Sequence, residues 1–239
     1  REHTNGNLSP SIETDASMRM AILNAIYYKA RFATVFDKKD TTKDTFYTQD
    51  GKVATDFMHQ IMDSHFFIDN KDYAATSLAL NNSSSLTLVL PKEGKDIRQL
   101  MEQKGFLQEL LEDDSEGAAF GIVNLSLPKF KIHSKLLLAD TLKAMGVTAL
   151  FDTAADLEGI TDEKPLFVSN IQQETSIALD EEGIEASAYT EMGMVGAANI
   201  KNPKTLNLNL NREFLYVIST RLDGRELPLF IGVCTDPAS

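Results

Sequence analysis

The side chains of this chain that could carry chemistry are few and poorly spaced for it. Four histidines, His3, His59, His65 and His133, and one cysteine, Cys234, stand at none of the spacings that bring imidazole and thiolate onto one ion, so no metal is expected. The sequence contains no Gly-x-Ser-x-Gly elbow, phosphate-binding glycine loop or dinucleotide fingerprint, which leaves hydrolase and nucleotide chemistry without a foothold and implies no cofactor. The acidic triplet Asp180-Glu181-Glu182 offers paired carboxylates. Neighbours along an extended chain point to opposite faces, however, and cannot flank one glycosidic bond. The run Glu112-Asp113-Asp114-Ser115-Glu116-Gly117 lacks the alternating ligand spacing of a calcium loop and reads as a solvated acidic loop.

A chain of 239 residues with 43% hydrophobic content is enough for a large core in one big domain or two small ones. With 23 basic against 35 acidic residues the net charge is −12, which argues against nucleic acid, anionic membranes or heparin-like polyanions as partners. No stretch reaches the roughly 18 consecutive apolar residues of a membrane span. One cysteine excludes an internal disulfide, and Cys234 is expected to be a small buried apolar residue. Asn-x-Ser sequons at Asn7, Asn81, Asn82 and Asn124 are a pattern common by chance.

The elements that must position any site are mostly strands. Met18 to Tyr28 is a dense apolar run suited to a strand buried on both faces, which would bury Asn24 and demand a partner for its amide. Phe36 to Asp63 reads as meander strands with a solvated face. Leu86 to Leu90 is a strand stopped by Pro91, Asp96 caps a helix carrying Ile97, Leu100 and Met101, and Phe106 to Leu111 is a second helix. Gly121 to Ile132 alternates as a strand, and Ser134 is read as the cap of a helix bearing Leu137, Leu138, Leu142 and Met145, closed by Gly146. Leu166 to Leu179, Leu206 to Leu210, Phe214 to Ser219 and Leu227 to Cys234 are further strands, the last two joined by the hairpin signal Asp223-Gly224. The class is α+β, rich in antiparallel strands.

One segment fits this scheme badly. Ile184 to Val195 follows the turn-like Asp180-Glu181-Glu182-Gly183 and alternates small or apolar residues with mostly polar ones, as a strand with one buried face does. It then runs into Gly-Ala-Ala-Asn rather than a tight turn.

Several motifs together give this segment a setting. Leu23-Asn24-Ala25-Ile26-Tyr27-Tyr28-Lys29, Leu127-Pro128-Lys129-Phe130-Lys131-Ile132, the passage from Met145-Gly146-Val147 through Phe151 to Ala155-Asp156-Leu157, Asp180-Glu181-Glu182-Gly183 with Glu185-Ala186, and Leu229-Phe230-Ile231-Gly232-Val233 before Pro237 resemble the serpins. Their order and spacing hold from about Thr4 to Pro237. The resemblance implies a single serpin domain over residues 1–239, with large, mostly antiparallel sheets, helices and an exposed reactive-centre loop at about 183–205. It also implies that the chain is the C-terminal portion of that fold, with an N-terminal helical section of the same protein as its partner.

What the resemblance implies for function is inhibition rather than enzymatic activity. A target endopeptidase, serine or alternatively cysteine, attacks the loop and forms an acyl-enzyme through its own nucleophile. The upstream loop then inserts between the strands holding Asn24 and Gln173, and no catalytic residue belongs to this chain. Glu182, Gly183, Ile184, Glu185, Ala186, Ser187 and Ala188 would form the hinge. On insertion Ile184, Ala186, Ala188, Thr190, Met192 and Met194 would turn inward, and a strand of this length at about 3.3 Å per residue spans about 40 Å. Asn24, Gln173, Phe32, Lys129 and Glu181 correspond to the family's shutter and breach residues. This sequence departs from the family by placing Gln173 where a histidine is usual, Phe32 for a tryptophan, and Ile184 for Thr or Ser. The expected results are an Asn24–Gln173 contact insensitive to pH and slower insertion. A Lys129–Glu181 pair, if exposed, would contribute at most ~1 kcal/mol.

Counting from Gly183 by the family's spacing puts the reactive bond at Ala197-Ala198. Counting back from Phe214 gives Asn202-Pro203, disfavoured by the proline. Lys201-Asn202 and Met194-Val195 are the alternatives. Ala197-Ala198 suits an elastase-like target and Lys201-Asn202 a trypsin-like one. The resemblance further implies a secreted, extracellular protein. A non-inhibitory serpin that binds or stores a ligand is the rival reading, against which the hinge composition Ala186-Ser187-Ala188 weighs.

Overall fold

The structure is a computed structural model and describes residues 18–111, 115–157, 159–160, 165–184 and 203–238. Along the chain run β1 (Met20–Tyr27), β2 (Ala30–Arg31), β3 (Thr42–Thr48), β4 (Gly51–Asp69), β5 (Tyr73–Ala79), β6 (Ser84–Pro91), the short helices α1 (Ile97–Glu102) and α2 (Phe106–Leu111), β7 (Ala118–Pro128), β8 (Phe130–Leu137), α3 (Ala139–Ala144), β9 (Val168–Asp180), β10 (Gly183–Ile184), β11 (Lys204–Asn209), β12 (Phe214–Leu222) and β13 (Arg225–Cys234). They form two compact units, Arg1–Tyr28 with Ile132–Ile177, and Lys29–Lys131 with Ala178–Ser239.

In the first unit β1 pairs directly with β9, parallel, from Met20↔Val168 to Tyr27↔Ser176. β8 lies on the other side of β9. β1 is therefore an edge strand among the described residues, and the expected burial on both faces is not found: Leu23 is 47% exposed and Asn24 is exposed too. The apolar run marks a strand correctly, but consecutive side chains point to opposite faces, and among the described residues neither face is covered at Leu23 and Asn24.

The second unit is built on a sheet of order β11-β7-β4-β5-β6-β12-β13, with β3 beside β4. Its centre is revealed by β12, where Phe214 to Ile218 are all buried, as happens when both faces of a strand are covered. β11, by contrast, alternates, with Leu206 and Leu208 inward. Phe46, Phe57, Met58, Leu86, Leu88 and Phe214 are fully buried, and Phe214 meets Phe46 and Phe130 edge-on at centroid distances of 6.3 and 6.0 Å. A satellite core under α1 and α2 packs Ile97, Leu100, Phe106 and Leu110 against Val89 and Val217. Asp96 caps α1 as expected, its carboxylate accepting from Arg98 N at 2.7 Å. Asp223 and Gly224 turn with φ of 50° and 79°, the left-handed pair that a two-residue hairpin requires.

Three local expectations are corrected. The strand expected to stop before Pro91 takes in that residue as its last, opposite Tyr73, since a terminal position tolerates the missing N–H. The strand from Gly121 to Ile132 is two strands, β7 and β8, parted at Lys129. Ser134 caps nothing. It lies within β8, α3 starts after Leu138 without a side-chain cap, and Leu137 and Met145 are 62% and 75% exposed. Pairing of β8 with β9, ending in a bond from Leu138 N to Ile171 O of 2.8 Å, has taken residues that a helical apolar stripe had seemed to claim. Cys234 is buried as expected, and burial pushes its thiol up to about 12. Among the described residues no helix is long and apolar enough to cross a membrane, and no group of three or more His, Cys, Asp or Glu is placed to hold a metal ion.

Candidate functional site

The candidate site is the start of the alternating segment. β9 ends at Asp180, Glu181 and Glu182 make a tight turn, and Gly183-Ile184 returns as β10, with Gly183 opposite Asp180 and Ile184 opposite Leu179. The other edge of β10 is also occupied, because Gly183 lies opposite Arg31 and Ile184 opposite Ala30 of β2. The first two residues after the turn thus form a strand held on both sides, with the Ile184 side chain fully buried. Only glycine serves at 183. Its φ is +139°, and a Cβ there would lie 2.4 Å from the Ala30 carbonyl oxygen and 2.7 Å from Arg31 Cα.

The turn is fixed by atoms of every kind. Phe32 N donates to Glu182 O and Phe36 N to Glu181 O, both at 3.0 Å, and Glu182 N donates to Asp180 Oδ1 at 2.9 Å. Phe32 and Phe36, each 3% exposed, pack edge-on at 5.3 Å behind these bonds. The Glu181 carboxylate, 4% exposed, receives Lys129 Nζ at 2.9 Å and the Thr41 hydroxyl at 2.8 Å. Lys129 reaches it because the break between β7 and β8 falls on this residue, whose N–H bonds to Asp56 O. Burial alone would push the Glu181 carboxyl up. The hydrogen bonds from Lys129, its own backbone N–H and Thr41, with the charge of Lys129, outweigh that and hold it below the usual carboxylate range. The pair is therefore not the exposed, weak one that the sequence allowed for.

Replacing Lys129 by Met is expected to leave the Glu181 carboxylate with Thr41 as its remaining side-chain donor and to cost ~1–3 kcal/mol. Because the folded carboxyl titrates below its ordinary 4.5, the lost stabilisation is fully present above that value and disappears as pH falls through the depressed one. Urea titrations of the two proteins should differ most at neutral pH and converge in acid; a pH-independent difference would mean that Lys129 acts only through packing.

In the first unit Asn24 faces Gln173 across the β1–β9 pair, and its Nδ2 donates to Gln173 Oε1 at 3.3 Å. The expected partner is there, but the amide is exposed rather than buried. Of the hinge residues, Glu182, Gly183 and Ile184 are described. Glu185, Ala186, Ser187 and Ala188 lie outside the described residues, as do Ala197-Ala198, Lys201-Asn202 and Met194-Val195. Sequence reasoning missed Thr41 and Lys38. Lys38 Nζ lies 3.0 Å from Glu182 Oε1 and opens a 3₁₀ turn, Lys38–Asp40, whose N-cap Asp37 accepts from Lys39 N. Asp37 could have been read as a cap, but nothing local to Lys38 points to a residue 144 positions away.

A family model described as Serpin (serine protease inhibitor) matches residues 1–237. The chain belongs to the serpin family. A serpin of the cow, Serpin A3-8, is 33% identical over 95% of the chain and 53% of its own length. A protein named serine protease inhibitor from the jellyfish Cyanea capillata is 28% identical over 100% of the chain and 63% of its own length. Among solved structures, human thyroxine-binding globulin complexed with thyroxine superposes with a TM-score of 0.81 at 24% identity, over 100% of the chain and 62% of that protein. Serpin48, a highly specific serpin in the insect Tenebrio molitor, gives 0.75 at 27% identity, over 98% and 62%. The chain thus spans between about half and two thirds of these relatives' lengths. The serpin fold expected from the motifs is the fold found.

Proposed function

We propose that the protein of which this serpin chain is part inhibits a serine endopeptidase by forming an acyl-enzyme on its loop and inserting the loop upstream of the cut into the sheet. The single observation that carries this reading is β10, seated between the end of β9 and β2 with Ile184 fully buried. A chain that already enters the sheet at its hinge has the start of an insertion strand in place. Direct pairing of β1 with β9 supports the same mechanism, since a longer insert would have to part those strands, and the Asn24–Gln173 bond would be among those exchanged. In this reading the whole chain is one serpin domain, residues 183–205 are the reactive loop, Ala197-Ala198 is the bond cut, the favoured target is elastase-like, and the protein acts outside the cell with its N-terminal section. Lys201-Asn202 and Met194-Val195 remain the alternative bonds.

Incubation of the full-length protein with elastase-type and trypsin-type enzymes should give a complex that survives denaturing electrophoresis with the former, and a released C-terminal peptide starting at Ala198 by mass spectrometry. Clean cleavage without complex would sink the inhibitory reading.

The binding or storage reading has one observation of its own. Phe66, Ile68, Thr76, Ser85, Leu110 and Ser219 line a cavity of about 180 Å³. Its floor is polar: Ser219 donates to Glu226 Oε2 at 2.9 Å and, its proton so used, accepts from Ser85 at 2.9 Å. A drug-sized ligand needs about 300 Å³ or more; this cavity is too small for one, but a neighbouring one of about 760 Å³ between Leu107, Leu111, Arg221, Arg225 and Pro228 is not, so volume alone does not separate inhibitor from carrier. The two are separable by heating. Cleavage in the loop should raise the melting temperature by on the order of 10 °C if a strand worth several kcal/mol is added, and leave it unchanged in a carrier whose loop stays out.

A further inference from the structure

We propose that Lys38 is a positioning residue for the hinge. Its ion pair with Glu182 is a salt-sensitive latch, distinct from the Lys129–Glu181 pair, that holds the turn ahead of β10 and sets how readily the hinge enters or leaves the sheet. The inference deepens the inhibitory reading and rests on it for its consequence, though the latch itself is a matter of local structure.

The turn has two consecutive carboxylates with opposite surroundings. Glu181 is buried and served by Lys129 and Thr41. Glu182 points the other way, its side chain 31% exposed, and meets Lys38 Nζ at 3.0 Å, with Lys38 67% exposed. The ammonium is held above its usual range, first by the hydrogen bond to Glu182 and then by the charge of that carboxylate, with smaller contributions from Glu181 and Asp180. Lys38 is not a loose surface lysine. It is the first residue of a capped 3₁₀ turn, two residues after Phe36, whose N–H holds Glu181 O, and three before Thr41, whose hydroxyl holds the Glu181 carboxylate. One short segment, Phe36 to Thr41, thus grips the turn by a backbone N–H, a hydroxyl and an ammonium. Of these three the ammonium alone is an exposed charge, and so the one that dissolved salt can weaken.

The test reads the turn directly, by amide hydrogen exchange of the full-length protein. Phe32 N and Phe36 N donate to Glu182 O and Glu181 O, so their exchange reports release of the turn. Lys38→Gln is expected to speed exchange at both amides about two- to fivefold at 0.1 M salt, the range of an exposed pair. The difference should vanish at 1 M, where the screening length falls from about 10 to about 3 Å. Exchanging the charges, Lys38→Glu with Glu182→Lys, should restore the original rates. Unchanged exchange in Lys38→Gln, an effect that persists at 1 M salt, or failure of the exchanged pair to rescue would each overturn the latch. Complex formation with an elastase-type enzyme, measured in parallel, separates the two claims. Absence of complex in every protein counts against inhibition and leaves the exchange result standing, whereas complex formation at equal rates with and without Lys38 counts against the latch as a control on insertion.

Discussion

If the protein traps its target as proposed, Ile184→Arg should turn it from an inhibitor into a substrate. The Ile184 side chain is fully buried, between Ala30 on one strand and Leu179 on the other, and a guanidinium set there would be desolvated with no carboxylate opposite it in the ladder. The effective penalty for such a charge is several kcal/mol, and each 1.4 kcal/mol is a factor of ten. The seated hinge should therefore be disfavoured by roughly a hundredfold or more, and insertion beyond it slowed accordingly. Hydrolysis of the acyl-enzyme then overtakes insertion, the loop is still cut, and the moles of inhibitor consumed per mole of enzyme trapped rise steeply. Ile184→Thr, which puts the family's usual residue at this position, should leave the trap intact. A stoichiometry of inhibition unaltered by Ile184→Arg would show that trapping does not require this position to be seated in the sheet.

Gly183→Val is the second large effect and works through the backbone. At φ +139° a β-branched residue is strained by ~1–3 kcal/mol, and its Cβ would overlap the Ala30 carbonyl oxygen at 2.4 Å and Phe32 N at 2.8 Å. Those are main-chain atoms of the β2 region and cannot swing aside like the end of a flexible side chain. Detachment of β10 relieves both terms, so the variant should lose amide protection at Ile184 and slow trapping by about 10- to 100-fold, the factor corresponding to ~1.4–2.8 kcal/mol. The sheet around Phe214 should stay folded, with its aromatic packing unchanged by near-ultraviolet circular dichroism. Retained protection at Ile184 would mean that the neighbouring backbone absorbs the added carbons.

Much of this was legible in the chain. Most strands announce themselves by apolar alternation or short apolar runs, the β12–β13 hairpin by Asp223-Gly224, and α1 by Asp96, because those signals act within a few residues. The pairing of Asn24 with Gln173 and of Lys129 with Glu181 came from family motifs and was found in place. What misled was local pattern without its tertiary competitor. The run after Ser134 has a helical stripe, yet β9 offered it a ladder. The apolar β1 looked doubly buried, yet Leu23 and Asn24, on opposite faces, are both exposed among the described residues. Neither fact is written in the neighbouring residues.

The segment from Ile184 onward shows the same division. By itself the sequence determined that it can be a strand, since alternation of side chains along an extended backbone is a property of the residues alone. That a glycine is needed at 183 was decided by the packing, which sets its φ of +139° and brings the Ala30 carbonyl within 2.4 Å of a Cβ. Where such a strand finds partners is a question of which edges are open, and that depends on residues far apart in the chain. The tertiary structure decided that β10 lies between β2 and the end of β9, that Glu181 is buried and Glu182 is not, and that Lys38 and Thr41 serve them. Hydrogen-bonding edges and charges meet across space at distances that no local spacing encodes.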